Sequence, residues 1–371
     1  MKKFLPLLLI NSLVVILFFA LSSCEGPEGP KGADGAAGTA GTNGTNGLNG
    51  KDANSFCKVC HNNANMDAKA EQWATSRHGS GTSWATEGTR NTCAACHSQA
   101  GYIETTFTGR DTMAVTGKIG LPLGCEGCHE FHNTLDSNEF PDYALQYSGP
   151  VKLRMRTSIS INLPKANGCI KCHQARLPSP NISSMTGTDT ITATSYRWGI
   201  HYGGTGSIFA GVGGGCYEFP GVAYENTAHT TTMGCGDCHM AKYMGSGVNS
   251  AGGHTFRMVD TNDTENLVSC KVCHPTATSF DVNGKQTEIK GLLKQLGDKL
   301  FALGLIEKDP VLGYTGYVNL PHSGSGLKLK FPSKVGAAII NYQHLIREGS
   351  AGVHNYKYTK ALLTNTIASL P

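Results

Sequence analysis

Aliphatic residues and charge are both scarce in this chain. Hydrophobic residues make up 39% of its 371 positions and charged residues only 16%, less apolar material than a side-chain core of that size calls for. Something other than aliphatic packing is therefore expected to fill part of the interior. The formal net charge is +4, without the basic excess of a nucleic-acid-binding surface, so no nucleic-acid partner is expected.

What is present falls into sectors. Residues 1–23 read as a lipoprotein signal peptide: Lys2 and Lys3 begin it, an apolar run from Phe4 to Leu21 is interrupted by Asn11 and Ser12, and small residues lead to Cys24. The run is marginal in length for a retained transmembrane helix. Leu21-Ser22-Ser23-Cys24 resembles the lipobox of bacterial lipoproteins. The resemblance implies that Cys24 is lipidated, becomes the new N-terminus and holds the chain on a membrane surface. The expected location is the outer membrane, on its cell-surface or periplasmic face. Loss of residues 1–23 removes two lysines and no acids, which lowers the formal charge to about +2.

Glycine then recurs at 26, 29, 32, 35, 38, 41, 44, 47 and 50, giving nine Gly-X-Y triplets from Gly26 to Asp52. An unbroken period of three is the signature of the collagen triple helix, whose crowded axis admits only glycine. Pro27 and Pro30 are its only prolines, so pre-organisation of the polyproline conformation is weak. Residues 24–52 thus read either as a trimeric stalk, which would make the protein a homotrimer, or as a polar spacer. Either reaches on the order of 80 Å when extended, at about 3.1 Å per residue.

Twelve of the fourteen cysteines lie in six copies of Cys-X-X-Cys-His: Cys57-Cys60-His61, Cys93-Cys96-His97, Cys125-Cys128-His129, Cys169-Cys172-His173, Cys235-Cys238-His239 and Cys270-Cys273-His274. Composition alone predicts about 0.02 such motifs. The spacing suits covalent c-type haem, with two thiols one short turn apart to bond the vinyl groups and the next imidazole to reach the iron. Structural zinc needs four ligands and gives no reason for a histidine after every second cysteine. A disulfide framework would not repeat one spacing six times.

On these motifs the chain resembles the multihaem c-type cytochromes over residues 54–371. The resemblance implies six covalent haems, with His61, His97, His129, His173, His239 and His274 as proximal iron ligands. It also implies a mainly α fold with much irregular structure, in which packed haems form the core. Residues 53–371 supply 319 positions, about 53 per haem, too few for separate domains.

Eight histidines remain for the second axial position. His78 in Trp73-x-x-Ser76-x-His78, His229 ahead of Cys235, and His254 in Gly-His-Thr-Phe resemble distal-ligand contexts. His201 follows, in a glycine-rich stretch that admits a porphyrin close to the backbone, and then His354 in GVHNYKY. The sixth place falls to His132 or His322, whereas His344 sits inside an expected helix. Met233 and Met244 are alternative ligands that would raise a potential. Cys216 belongs to no motif and reads as a buried inert thiol.

Residues 53–275 read as loops and short turns. Helical periodicity follows in Gln286–Ile306, Val335–Ile346 and Tyr358–Leu370, giving a helical part at 286–371.

The expected function is electron relay to redox partner proteins or an extracellular acceptor, with no catalytic residue assigned. An alternative is a multihaem oxidoreductase similar to nitrite reductases and hydroxylamine oxidoreductases, with one substrate-accessible haem. No Cys-X-X-Cys-Lys occurs, which removes the lysine-ligated haem of the former. A minor alternative is a filament-forming surface cytochrome. Six haems with ionised propionates would shift the formal charge to about −4 or −10 by oxidation state, favouring a basic or metal-oxide partner.

Overall fold

The computed structural model describes residues 62–371 except 115–119, 131–144, 155, 177, 179, 183–188, 214–215, 310–312 and 324–325. The expected signal peptide at residues 1–23, Cys24, the Gly-X-Y segment, Cys57, Cys60, His61 and His132 lie outside the described residues. The fold is mainly helical with much irregular chain, and its strands form only two-stranded antiparallel ribbons among the described residues. No helix among those residues is long and apolar enough to cross a membrane.

Local sequence accounts for the N-terminal elements. Helix α1 (Asn63–Thr75) carries Ala64, Ala68, Ala70 and Ala74, all strong helix formers. It starts where the Asn62 side chain accepts a hydrogen bond from Asn65 N at 2.8 Å. Ser76 stops α1 and caps the next turn, Arg77–Ser80, by accepting from Gly79 N at 3.1 Å. Helices α2 (Asn91–His97) and α3 (Gln99–Thr108) meet at Ser98, which caps α3 through Gly101 N at 3.0 Å. Helices α1 and α3 are longer than the short turns expected here, because neither is broken by proline and the only glycine in α3, Gly101, packs close against Ala94.

Each described Cys-X-X-Cys-His motif starts within a short helical stretch: the end of α2, then Cys125–Cys128, Asn167–Ile170, which holds only Cys169 of its motif, Cys235–His239 and Cys270–Cys273. In three of them the histidine N–H donates to the carbonyl of the first cysteine, at 2.8 Å for His129 and His173 and 2.7 Å for His274. One α-turn puts positions i, i+3 and i+4 on the same face. Both thiols and the imidazole therefore face one way.

The last third contains three long helices: α4 (Lys285–Ala302), α5 (Ser333–Glu348) and α6 (Tyr356–Ser369). The first ends four residues short of the expected Ile306, since Gly304 at φ +71° turns the chain into a ribbon of Ile306–Asp309 with Gly313–Val318. Residues 286–371 are thus helical with one ribbon inserted, and a further strand, Leu329–Pro332, that pairs with Thr190–Ala193. These helices build a conventional side-chain core from Ile289, Leu296 and Leu300 of α4, Ile339, Ile340 and Leu345 of α5, and Tyr358, Leu362 and Leu363 of α6. A second, smaller apolar cluster of Val151, Leu153, Ile161, Ile170 and Phe209 lies within the motif-bearing part.

Helix α5 is buried along residues 336–345, and its polar residues there pin distant loops. Asn341 accepts from Tyr217 N at 2.7 Å and donates to Tyr217 O at 2.8 Å. Gln343 accepts from Ile200 N at 3.1 Å and donates to Trp198 O at 3.0 Å and Gly316 O at 2.6 Å. Gly199, at φ +149°, permits this approach, since a Cβ there would lie 1.8 Å from Gln343 Oε1.

Candidate functional site

The five described motifs open onto one cavity of about 2540 Å3, well beyond the roughly 300–1,000 Å3 of an ordinary ligand pocket. Its lining includes all ten described motif cysteines, which are free thiols, and the five described motif histidines. His78, His201, His229, His254 and His354 line it too, whereas His322 and His344 do not.

Inside this cavity the histidines stand in opposed pairs. Ring centroids are 6.1 Å apart for His78 and His173, 6.0 Å for His97 and His201, and 6.3 Å for His129 and His254. For His229 and His274 the distance is 6.4 Å, and for His239 and His354 it is 6.0 Å. Each pair joins one motif histidine to one from elsewhere in the chain. Two metal–nitrogen bonds of about 2 Å, with about 1 Å more to each ring centre, span about 6 Å. The interplanar angles run from 32° to 81°, and two rings sharing a nitrogen–metal–nitrogen axis are free to rotate about it.

Five of these ten imidazoles are oriented by a bond at Nδ1, which leaves Nε2 for a ligand. His201 Nδ1 bonds Tyr202 O at 2.7 Å, His229 Nδ1 bonds Val353 O at 2.8 Å and His239 Nδ1 bonds Phe256 O at 2.9 Å. His97 Nδ1 lies 3.2 Å from Ser83 Oγ. His354 Nδ1 meets the carboxylate of Glu348. Burial pushes His173 down to about 4 and also lowers His78, His97, His239 and His254. They are held neutral, the form in which imidazole binds a metal.

Tertiary contacts bring the pairs together. Ser76 fixes the turn that carries His78. Gln72 of α1 accepts from His254 N at 3.0 Å, which ties that loop to the N-terminal helix. Gln343 fixes residues 198–200 just before His201. Neighbouring motifs lie close as well, for the free thiol of Cys96 is a near neighbour of that of Cys172, and that of Cys169 of that of Cys235.

No group of three or more His, Cys, Asp or Glu residues disposed to hold a metal ion occurs among the described residues. Two opposed imidazoles with a thiol pair lining the same cavity would suit a metal held in a planar macrocycle, which the imidazoles would ligate and the thiols would attach. The residues present fit that group.

The other histidines have different partners. His322 stacks on Tyr196 with 3.9 Å between centroids and bonds Glu307 at 2.9 Å. It faces no motif histidine among the described residues, so the choice between His132 and His322 finds no support for His322 there. His344 is buried, with Nε2 2.7 Å from Gly204 O and Nδ1 3.2 Å from Cys216 Sγ. Because Nε2–H donates to that carbonyl, Nδ1 accepts from the thiol. Cys216 therefore has a partner that its sequence context did not signal, and burial raises its pKa well above the ordinary thiol value. Glu348 was not singled out by sequence either, although it stands only six residues before His354, and the turn that follows α5 at Gly349 lies between them. Met233 lines the cavity and Met244 does not.

No protein-family model matches the chain, and neither a curated protein nor a solved structure is significantly similar to it.

Proposed function

We propose that the chain is an exported, lipid-anchored hexahaem c-type cytochrome that relays electrons and does no substrate chemistry of its own. The observation that carries this reading is the opposition, inside one cavity, of every described motif histidine to a second histidine. Haem c, when bound, supplies a one-electron ferric/ferrous couple at each site.

The chain's own residues do the rest. The cysteine pairs would provide covalent attachment, and the two histidines of each described pair would hold the iron from both sides, which would leave no open position for nitrite, hydroxylamine or another small substrate. That closure favours relay over an oxidoreductase. The contacts Cys96–Cys172 and Cys169–Cys235 support a contiguous order, with the attachment site at 93–97 beside that at 169–173 and the latter beside 235–239. The sixth site belongs to Cys57, Cys60 and His61. The lipobox-like Leu21-Ser22-Ser23-Cys24 supports attachment to the outer membrane, and the Gly-X-Y segment supports a body held away from it. The proposed partners are a respiratory donor and an outer acceptor that is basic or a metal oxide.

The test is a pyridine haemochrome count with electron paramagnetic resonance and optical spectra of the ferric holoprotein, with and without nitrite, hydroxylamine or cyanide. Six low-spin haems per chain that ignore all three ligands are expected. Absence of covalent haem overturns the reading altogether. One high-spin haem that binds them replaces relay with a reductase or oxidase.

A further inference from the structure

Among the paired histidines, His354 has an unusual partner. Four of the others direct Nδ1 to a neutral oxygen: the carbonyls of Tyr202, Val353 and Phe256, and the hydroxyl of Ser83. His354 Nδ1 instead meets Glu348 Oε1. The Glu348 side chain is 1% exposed and lines the cavity at the end of α5. Its other oxygen, Oε2, accepts from Ser350 N and Ser350 Oγ, each at 3.0 Å. These neighbours are donors, so the group is held as an acceptor-only carboxylate. It has little water to screen it.

Resting on the haem reading above, we propose that Glu348 is a positioning residue that sets the reduction potential of the site held by His239 and His354, making it the lowest of the five described sites. A carboxylate that accepts the Nδ1 proton increases the electron density on the ring and makes Nε2 a stronger donor to the metal. A stronger donor favours the more highly charged ferric iron over ferrous iron. A buried negative charge beside the site acts in the same direction, since electrons are added less readily near it. A carbonyl acceptor provides the orientation without the charge. In a relay of sites that differ little in their motifs, this contact differentiates one of them.

The experiment is a spectroelectrochemical titration of the full holoprotein and its Glu348→Gln variant. The amide keeps size and can still accept from His354, but carries no charge. Outer-sphere partners weigh about tenfold or more on metal sites; a tenfold change in the ferric/ferrous ratio moves a one-electron wave by about 59 mV. The expected result is one wave near the negative end moving positive by about that amount, with the other waves and the low-spin spectrum unchanged. Glu348→Asp, which keeps the charge, should retain a more negative wave than Glu348→Gln. If all waves coincide with those of the parent while haem content is intact, the proposal fails and the haem reading stands. If the parent carries no haem, the haem reading itself fails, and the haemochrome count shows this before any variant is made. If Glu348→Gln does not assemble, Ser350→Ala serves instead. It removes one donor competing with His354 for the carboxylate, so the same wave should move negative; no movement overturns the proposal.

Discussion

On the proposed haem reading, replacing Gln343 by leucine should open the site between His97 and His201 without touching either histidine. Gln343 accepts from Ile200 N and donates to Trp198 O and Gly316 O, and it is buried. Leucine has nearly the same volume but no polar atom, so three backbone groups lose their partner. Each such loss costs about 1–3 kcal/mol. With partial relaxation of the loop, about 3 kcal/mol of its closing energy should disappear. Residues 198–200 run directly into His201, whose ring lies 6.0 Å from that of His97. A loss of about 3 kcal/mol raises the fraction of molecules with this loop displaced by about 100-fold. The assay is the rate of cyanide binding by ferric holoprotein, followed optically, with electron paramagnetic resonance to detect a high-spin signal. Asn341→Leu is the control, because it also removes buried hydrogen bonds from α5 but releases Tyr217 and Thr366. The reasoning is refuted if Gln343→Leu binds cyanide no faster than Asn341→Leu does.

Three further outcomes are expected. Gly199→Ala should mimic Gln343→Leu in the same cyanide assay, since its Cβ would lie 1.8 Å from Gln343 Oε1 at a φ of +149°; wild-type rates in the variant would show that the approach is not needed. The Cys216 thiol is buried and its folded-state pKa lies well above 9.0, so its contribution to stability is complete below that pH and declines as pH rises past it, when the unfolded chain releases the proton. Chemical denaturation from pH 7 to 10.5 should show this decline, and Cys216→Ser should flatten it; an identical slope in the two proteins would remove Cys216 as its cause. Finally, Cys24→Ala removes the proposed acylation site, and fractionation should find the protein released from membranes; unchanged membrane association would exclude the lipid as the anchor.

The Cys-X-X-Cys-His motifs were legible because their geometry is local. A cysteine, a second cysteine three residues on and a histidine next to it share a face as soon as one turn of helix forms, as at Cys125, Cys128 and His129. The three C-terminal helices could be read for the same reason, from the recurrence of Ile289, Leu292 and Leu296 and of similar runs later. His78 was marked by its own surroundings, since Ser76 caps the turn that holds it. Which histidine opposes which motif was not legible. His97 and His201 face each other because Gln343, a further 142 residues on, holds the loop before His201, and no window of sequence contains all three. Cys216 against His344, 128 residues apart, has the same origin. Sequence by itself determined the chemistry available at each position: thiols, imidazoles and the turns that present them. Only the tertiary structure decided the partnerships, because opposed rings about 6 Å apart are a property of packed loops and buried hydrogen bonds between residues far apart in the chain.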